Sequence, residues 1–266
     1  MEIQVEKMGI DVEPFIRVVD LAKRYDTRRG SVDAVQKVSF DVHAGEFISI
    51  VGPSGCGKST LMKMIGMLLK PSSGTIHFSS LPKNASSPDL GMVFQDAVLL
   101  PWRTVLENVC LPIEVMKLDR QVFQQRARDL IELVGLKGFE DKYPFELSGG
   151  MQQRTSIARA LVSDPAMLLM DEPFGALDAL TRETMTQELQ RIWADSKKTV
   201  LFITHSISEA VFLSDRVLVM TSRPSRVEEI MEITLPRPRV MSSMTTPEFG
   251  AYVAHIRSLL SASVEF

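Results

Sequence analysis

Apolar residues in the first third of the chain fall into short groups of strand length. Phe15 to Val19 is rich in β-forming residues. Val38 to Val42 alternates Val, Ser, Phe, Asp, Val, the period-two pattern of a half-buried antiparallel strand. Phe47 to Val51 is almost wholly apolar, as in a strand covered on both faces. Lys58 to Leu69 then takes helical spacing, with Leu61, Ile65 and Leu68 on one side. Gly74 to Phe78 and Leu90 to Phe94 predict two more strands, and Leu81 to Asp89, rich in Ser, Pro and Asn, predicts a loop between them. From Thr104 to about Val162 the period becomes helical, with Phe123, Ala127, Leu130, Ile131 and Val134 recurring on one face. Strands return at Met167 to Met170, Thr199 to Thr204 and Arg216 to Met220. Helices are predicted between them over Asp178 to Trp193 and Ile207 to Leu213. Strand alternating with helix implies a parallel α/β sheet with a helical insertion. Beyond Pro236 and Pro238, Thr245 to Glu248 predicts the cap of a last helix carrying Phe249, Val253, Ile256 and Leu260 on its apolar side.

Composition narrows the classes. The 266 residues suffice for one large domain or two small ones, and 45% hydrophobic with 24% charged residues is a globular balance. A net charge of −3 disfavours a generally basic nucleic-acid binder. Cys56 and Cys110 cannot build a disulfide framework, which fits a reducing compartment. Met1 to Asp11 lacks a basic start followed by a long apolar run, so no signal peptide is expected. No stretch approaches the about 18 uninterrupted apolar residues of a membrane span. Work at a membrane therefore requires another chain to cross it.

Three motifs carry chemistry. Gly52-Pro53-Ser54-Gly55-Cys56-Gly57-Lys58-Ser59 fits G-x-x-x-x-G-K-S, between a buried strand and a helix. Its glycines let successive backbone N–H groups turn around a polyphosphate, and the helix N-terminus adds positive potential. Lys58 should contact the β- and γ-phosphates, Ser59 should ligate Mg²⁺, and Thr60 should close on the α-phosphate side. Ala166 to Met170 buries a strand that delivers Asp171 and Glu172 to the edge where open α/β sheets bind ligands. Asp171 would hold Mg²⁺, and Glu172 would orient and deprotonate the attacking water. Leu147-Ser148-Gly149-Gly150-Met151-Gln152-Gln153-Arg154 opens a further helix, expected over Gln152 to Val162. Ser148 can cap it while Gly149 and Gly150 let amides approach a second anion. Two phosphate-binding sites in one chain make sense if two chains face each other head to tail.

With these motifs in this order, residues 13 to 235 resemble the ATP-binding cassette family, the ATPase subunits of ABC transporters. The resemblance implies a P-loop NTPase, RecA-like parallel-sheet core with an N-terminal antiparallel β subdomain and an inserted α-helical subdomain at about 104–162. Residues 236–266 would be a short C-terminal extension with a helix. It implies ATP and Mg²⁺ as ligands, Tyr25 stacking on adenine, and Gln95 sensing the γ-phosphate and Mg²⁺. Asp178 would cross a homodimer, and His205 would hold the γ-phosphate and the catalytic water. His43, His77 and His255 have no motif around them and read as surface or structural residues. Met151 departs from the family's commonest signature, which ends in Gln. A thioether cannot donate the hydrogen bonds of an amide, so any role of that side chain falls into doubt. Leu-Ser-Gly-Gly-Met together with Leu100-Pro-Trp102-Arg-Thr-Val-Leu-Glu107-Asn108 is similar to the nitrate/sulfonate/taurine importer branch.

The resemblance implies two permease subunits meeting Asp96 to Asn108, a solute-binding protein as indirect partner, no nucleic acid, and a place on the cytoplasmic face of the inner membrane. Leu100 and Trp102 read as core, interface or a mixture of both. Rival readings are the ATPase of an ABC exporter, a non-transport ABC ATPase, and a non-catalytic module, against which Glu172 and His205 argue. The arginines Arg223, Arg226, Arg237 and Arg239 read as solvated charge, and the extension after Leu235 as packing on its own subunit or on its twin.

Overall fold

The computed structural model describes residues 13–27, 30–79 and 89–262. The predicted loop from Leu81 lies outside the described residues except for Asp89. In chain order the first elements are β1 (Ile16–Thr27), β2 (Gly30–Val42), β3 (Phe47–Val51), α1 (Lys58–Ile65), β4 (Ser73–Phe78) and β5 (Leu90–Val93). Helices α2 (Val105–Val115), α3 (Arg120–Leu133) and α4 (Gly149–Val162) follow. The chain then alternates through β6 (Met167–Asp171), α5 (Ala179–Ser196), β7 (Thr199–Ile203), α6 (Ile207–Leu213) and β8 (Arg216–Met220). It closes with β9 (Val227–Glu232) and α7 (Pro247–Ala262). None of the described helices is long and apolar enough to cross a membrane.

Two sheets result. The strands β2-β1-β4 form an antiparallel sheet, and β5-β6-β7-β3-β8-β9 form the main sheet, parallel except for β9 at its edge. The period-two alternation of β3 explains why every residue in it is buried. Phe47 and Val51 enter the cluster shared with the helices, while Ile48 and Ile50 enter the cluster under α1 and the antiparallel sheet. Phe47 lies edge-on to Trp193 and tilts against Phe202. Burial of side chains this size contributes about 1.5–3 kcal/mol each. Register then decides function. Asp171 pairs with Ile203 and Ile203 with Ile50, so the C-terminal ends of β6, β7 and β3 lie side by side.

The helices are fixed by polar ends. Thr104 and Glu107 make a reciprocal capping box at the start of α2. Asn108, fully buried, donates to the carbonyls of Leu100, Arg103 and Thr104 and accepts from the Leu100 amide, tying the preceding loop to the helix. Arg154 reaches back to the carbonyls of Val134 and Gly135, joining α4 to the end of α3.

Several boundaries differ from the pattern. Helix α1 ends at Ile65 because Gly66 and the left-handed Met67 interrupt it, which leaves Leu68 at 59% exposure instead of on the apolar face. Helix α4 begins at Gly149, three residues before Gln152, because Ser148 Oγ accepts from the Met151 amide and closes the first turn there. The strand β9 has no clean alternation in the sequence.

The largest correction concerns the arginines after β8. Arg239 is 3% exposed, and its guanidinium donates to the carbonyls of Val211, Phe212, Ser214, Ile233 and Leu235. Burial pulls this group down to about 10. Arg237 pairs with Asp215 and stacks 4.1 Å over the Trp193 ring. They are not solvated charge. They satisfy the carbonyls that end α6 and seat the extension on its own chain, where Phe249 and Ile256 are buried.

Candidate active site

The loop between β3 and α1 is shaped by its glycines. Gly57 has φ of 119°, and a Cβ there would stand 2.8 Å from the Ala34 carbonyl. The loop is thereby drawn against β2. Lys58 is 4% exposed, and its ammonium donates to the carbonyls of Gly52 at 2.9 Å and Pro53 at 3.1 Å. Ser59 Oγ donates to Asp171 Oδ1 at 3.0 Å. Burial at the end of β6 pushes the Asp171 carboxyl above the ordinary carboxylate value, and the Ser59 hydrogen bond opposes that.

Glu172 follows Asp171 in the left-handed conformation, φ 50°, with its amide bound to the Ile203 carbonyl. Such a conformation costs a non-glycine residue on the order of 1 kcal/mol or more and marks sites where the chain must re-aim a side chain. Here it turns the carboxylate across the strand ends. Glu172 Oε1 lies 2.6 Å from His205 Nε2, and Glu172 Oε2 accepts from Gln95 Nε2 at 3.3 Å. One carboxylate thus gathers groups from the ends of β5, β6 and β7.

These groups face a cleft of about 370 Å³ lined by Ser54, Gly55, Gly57, Lys58, Ser59, Thr60, Gln95, Glu172, His205 and Arg223. Loop amides, the start of α1 and two cations on one side suit a polyphosphate. Ser59 and the Gln95 amide line it and Asp171 stands behind Ser59, a set of hard oxygen donors that fits Mg²⁺. Arg223 is the residue that the motifs missed. It lies just past β8, and its Nε donates to the Gly55 carbonyl at 2.5 Å. Only knowing that β8 pairs with β3 would have brought it here.

Other expected site residues are placed elsewhere. Ser148, Gly149 and Gly150 form the cap and first turn of α4, and a Cβ on Gly150 would come within 3.2 Å of Leu177 Cδ2. Met151 packs its side chain against the main core, so its thioether acts as filler. Asp178 caps α5 by accepting from the Thr181 amide, and hydrogen bonds from the Thr181 side chain first and its amide second hold the Asp178 carboxyl below the usual range. Tyr25 stands on β1, 39% exposed, with Lys23 Nζ 5.4 Å from its ring centre. None of these six lines the cleft of its own chain. Trp102 is 70% exposed and so is not a core residue. His255 pairs with Glu229, and His77 contacts Thr75.

Comparison with known proteins shows the family. Residues 35–175 match the family model described as ABC transporter. The chain is 43% identical over 228 residues to the bicarbonate transport ATP-binding protein CmpD of Synechocystis sp., covering 85% of this chain and 81% of that one. It is 40% identical over 233 residues to the aliphatic sulfonates import ATP-binding protein SsuB of Bacillus cereus, covering 88% and 92%. Among solved structures it resembles the dimeric post-hydrolysis state of the ATP-binding cassette MJ0796 bound to ADP and Pi, with TM-score 0.75 and 32% identity over 83% of this chain and 100% of that one.

Proposed function

The chain belongs to the ABC transporter family, and from that premise we propose that it is the ATP-hydrolysing subunit of an importer for a small oxyanion. It is an ATPase with the P-loop NTPase fold, using ATP and Mg²⁺. The observation that carries the reading of its site is Glu172, held between His205 and Gln95 beside the phosphate loop. The bicarbonate and sulfonate transporters among its relatives support the solute class, since both solutes are small oxyanions.

The chemistry follows from the residues. Amides of the segment Gly52 to Thr60 bind the phosphate chain, and Lys58 moves its ammonium from the loop carbonyls to the β- and γ-phosphates. Ser59, Asp171 and Gln95 would hold Mg²⁺, which when bound would supply neutralisation of phosphate charge. Glu172 accepts the proton of the attacking water, a role that contributes about 10²- to 10⁴-fold in rate. His205 fixes the orientation of that carboxylate and meets the γ-phosphate. Tyr25 stacks on adenine. Ser148, Gly149, Gly150 and Asp178 complete the site of a second copy facing head to tail. Their position outside their own cleft and the dimeric state of the similar cassette support this. Binding then favours the closed dimer, and hydrolysis releases it.

The cassette spans 13–235 with its helical insertion at about 104–162, followed by the extension 236–266. Asp96 to Asn108 meets the permease: Val98 and Trp102 are exposed there, while Asn108 holds the loop backbone. The subunit thus sits peripherally on the cytoplasmic face of the inner membrane, with a solute-binding protein as indirect partner.

Two experiments test the reading. Glu172→Gln should nearly abolish phosphate release yet keep ATP binding and accumulate dimer by size-exclusion chromatography; ordinary turnover removes Glu172 as base. Mixing Lys58→Ala chains with Ser148→Arg chains should restore one composite site. Inactive mixtures that nonetheless contain heterodimers refute the shared site.

A further inference from the structure

His205 is half exposed, yet its ring must stay beside Glu172. Its backbone is held from both flanks. Thr204 Oγ1 donates to Glu209 Oε2 at 2.5 Å, the Ser206 amide donates to Thr204 Oγ1 at 3.0 Å, and the Glu209 amide donates to Ser206 Oγ at 3.2 Å. These bonds close a ring around the His205 turn, and Glu209 is its one ionisable member. Glu209 is 8% exposed, and burial pushes its carboxyl above the ordinary carboxylate value. A buried carboxylate is costly to keep without a cation. That cation is Arg182, whose Nε lies 3.8 Å from Glu209 Oε1. Arg182 belongs to α5, the helix capped by Asp178, and its Nη2 donates to the Leu177 carbonyl at 3.0 Å.

Glu209 does not line the nucleotide cleft. It lines a separate cavity of about 200 Å³ with Phe174, Arg182 and Thr204, and this cavity shares Glu172 and His205 with the cleft. The Glu172–His205 pair is therefore a wall between two spaces, with nucleotide chemistry on one side and Glu209 on the other.

We propose that Glu209 is a positioning residue for hydrolysis: through Thr204 and Ser206, and anchored by Arg182, it holds His205 against Glu172 and links that contact to the segment at Asp178. The proposal rests on the reading of Glu172 and His205 given above. The polar ring is worth its burial because a displacement of about 1 Å in a positioned group can reduce rate on the order of 10²-fold.

The test is epistasis in steady-state ATPase kinetics with the full-length protein. Glu209→Ala should lower kcat by on the order of 10- to 100-fold while ATP affinity, measured by nucleotide titration, stays within about two-fold. Thr204→Val should reproduce that loss, and Thr204→Ser, which keeps the donor, should restore it. In a His205→Ala background Glu209→Ala should add no further loss, because its effect passes through His205. Additional loss in that background, or full turnover of Glu209→Ala beside an impaired His205→Ala, overturns the proposal alone. Full turnover of His205→Ala overturns the reading of the site as well. Should Glu209→Ala fail to fold, the Thr204 pair decides the question: equal turnover of the Val and Ser variants refutes it.

Discussion

Replacing Arg239 by Met removes a buried guanidinium and keeps most of its aliphatic length. In the native fold Nη1 donates to the carbonyls of Val211 at 2.8 Å, Phe212 at 3.0 Å and Ser214 at 2.7 Å, and Nη2 to those of Ile233 at 3.1 Å and Leu235 at 3.3 Å. Hydrogen bonds to a charged group contribute about 1.5–3 kcal/mol each, but bonds sharing one donor group do not add. Nε is buried with no partner among the described residues, which subtracts from the total. A buried acceptor left without its donor costs about 1–3 kcal/mol, so carbonyls cut off from water together, counted less than additively, cost about 3–5 kcal/mol. At about 2–4 °C per kcal/mol for a chain of roughly this size, Arg239→Met should lower Tm by roughly 6–20 °C. The assay is a thermal melt followed by circular dichroism at neutral pH. Arg226→Met is the control, since Arg226 is exposed and among the described residues its side chain bonds only Gln36; it should change stability by about 0.5 kcal/mol or less. An Arg239→Met melt within about 2 °C of the wild type, a shift below about 1 kcal/mol, refutes the idea that this cluster seats the extension on α6.

Other outcomes follow from single contacts. Gly57→Ala combines a positive φ with a Cβ 2.8 Å from backbone, so ATP affinity should fall by roughly tenfold or more, about 1.4 kcal/mol, in a fluorescent-nucleotide titration; wild-type affinity contradicts this. Asp164 is held below the usual carboxylate range, first by the Lys198 hydrogen bond and also by Arg126. Its stabilising effect is complete above the unfolded carboxylate value and is lost as pH falls through the lower folded value. Asp164→Asn should therefore flatten the acid limb of a Tm–pH curve below about pH 4, and identical limbs argue against the assignment. Trp102→Ala should leave Tm and the ATPase of the isolated subunit unchanged, because the ring is 70% exposed, and should uncouple transport once the permease is present; unimpaired transport removes Trp102 from that contact.

Much of the site was legible because its signals are local. A glycine-rich loop between a buried strand and a helix is specified by residues within eight positions, and so is the Asp171–Glu172 pair at the end of an apolar run. The cap at Ser148 is equally local, although the helix it starts was placed three residues late. Features with distant partners were not legible. Arg223 reaches the phosphate loop, Arg239 reaches the end of α6, and Arg182 reaches Glu209. Each arginine looks the same in sequence as one that points into water, because charge says nothing about which carbonyl or carboxylate lies opposite.

From the residues alone came the alternation of strand and helix, the backbone able to wrap a polyphosphate, and the pair of acids at a strand end; His205 and Gln95 were singled out by the family resemblance. Periodicity states which face of an element must be buried, and turn chemistry states where the chain can bend. Neither states what a face is buried against. Tertiary structure alone decided that β3 lies between β7 and β8, that the ends of β6 and β7 meet, and that Glu172 therefore touches both His205 and Gln95. The physical reason is that strand order and register are set by how the whole set of apolar faces packs together, and that packing depends on every element at once.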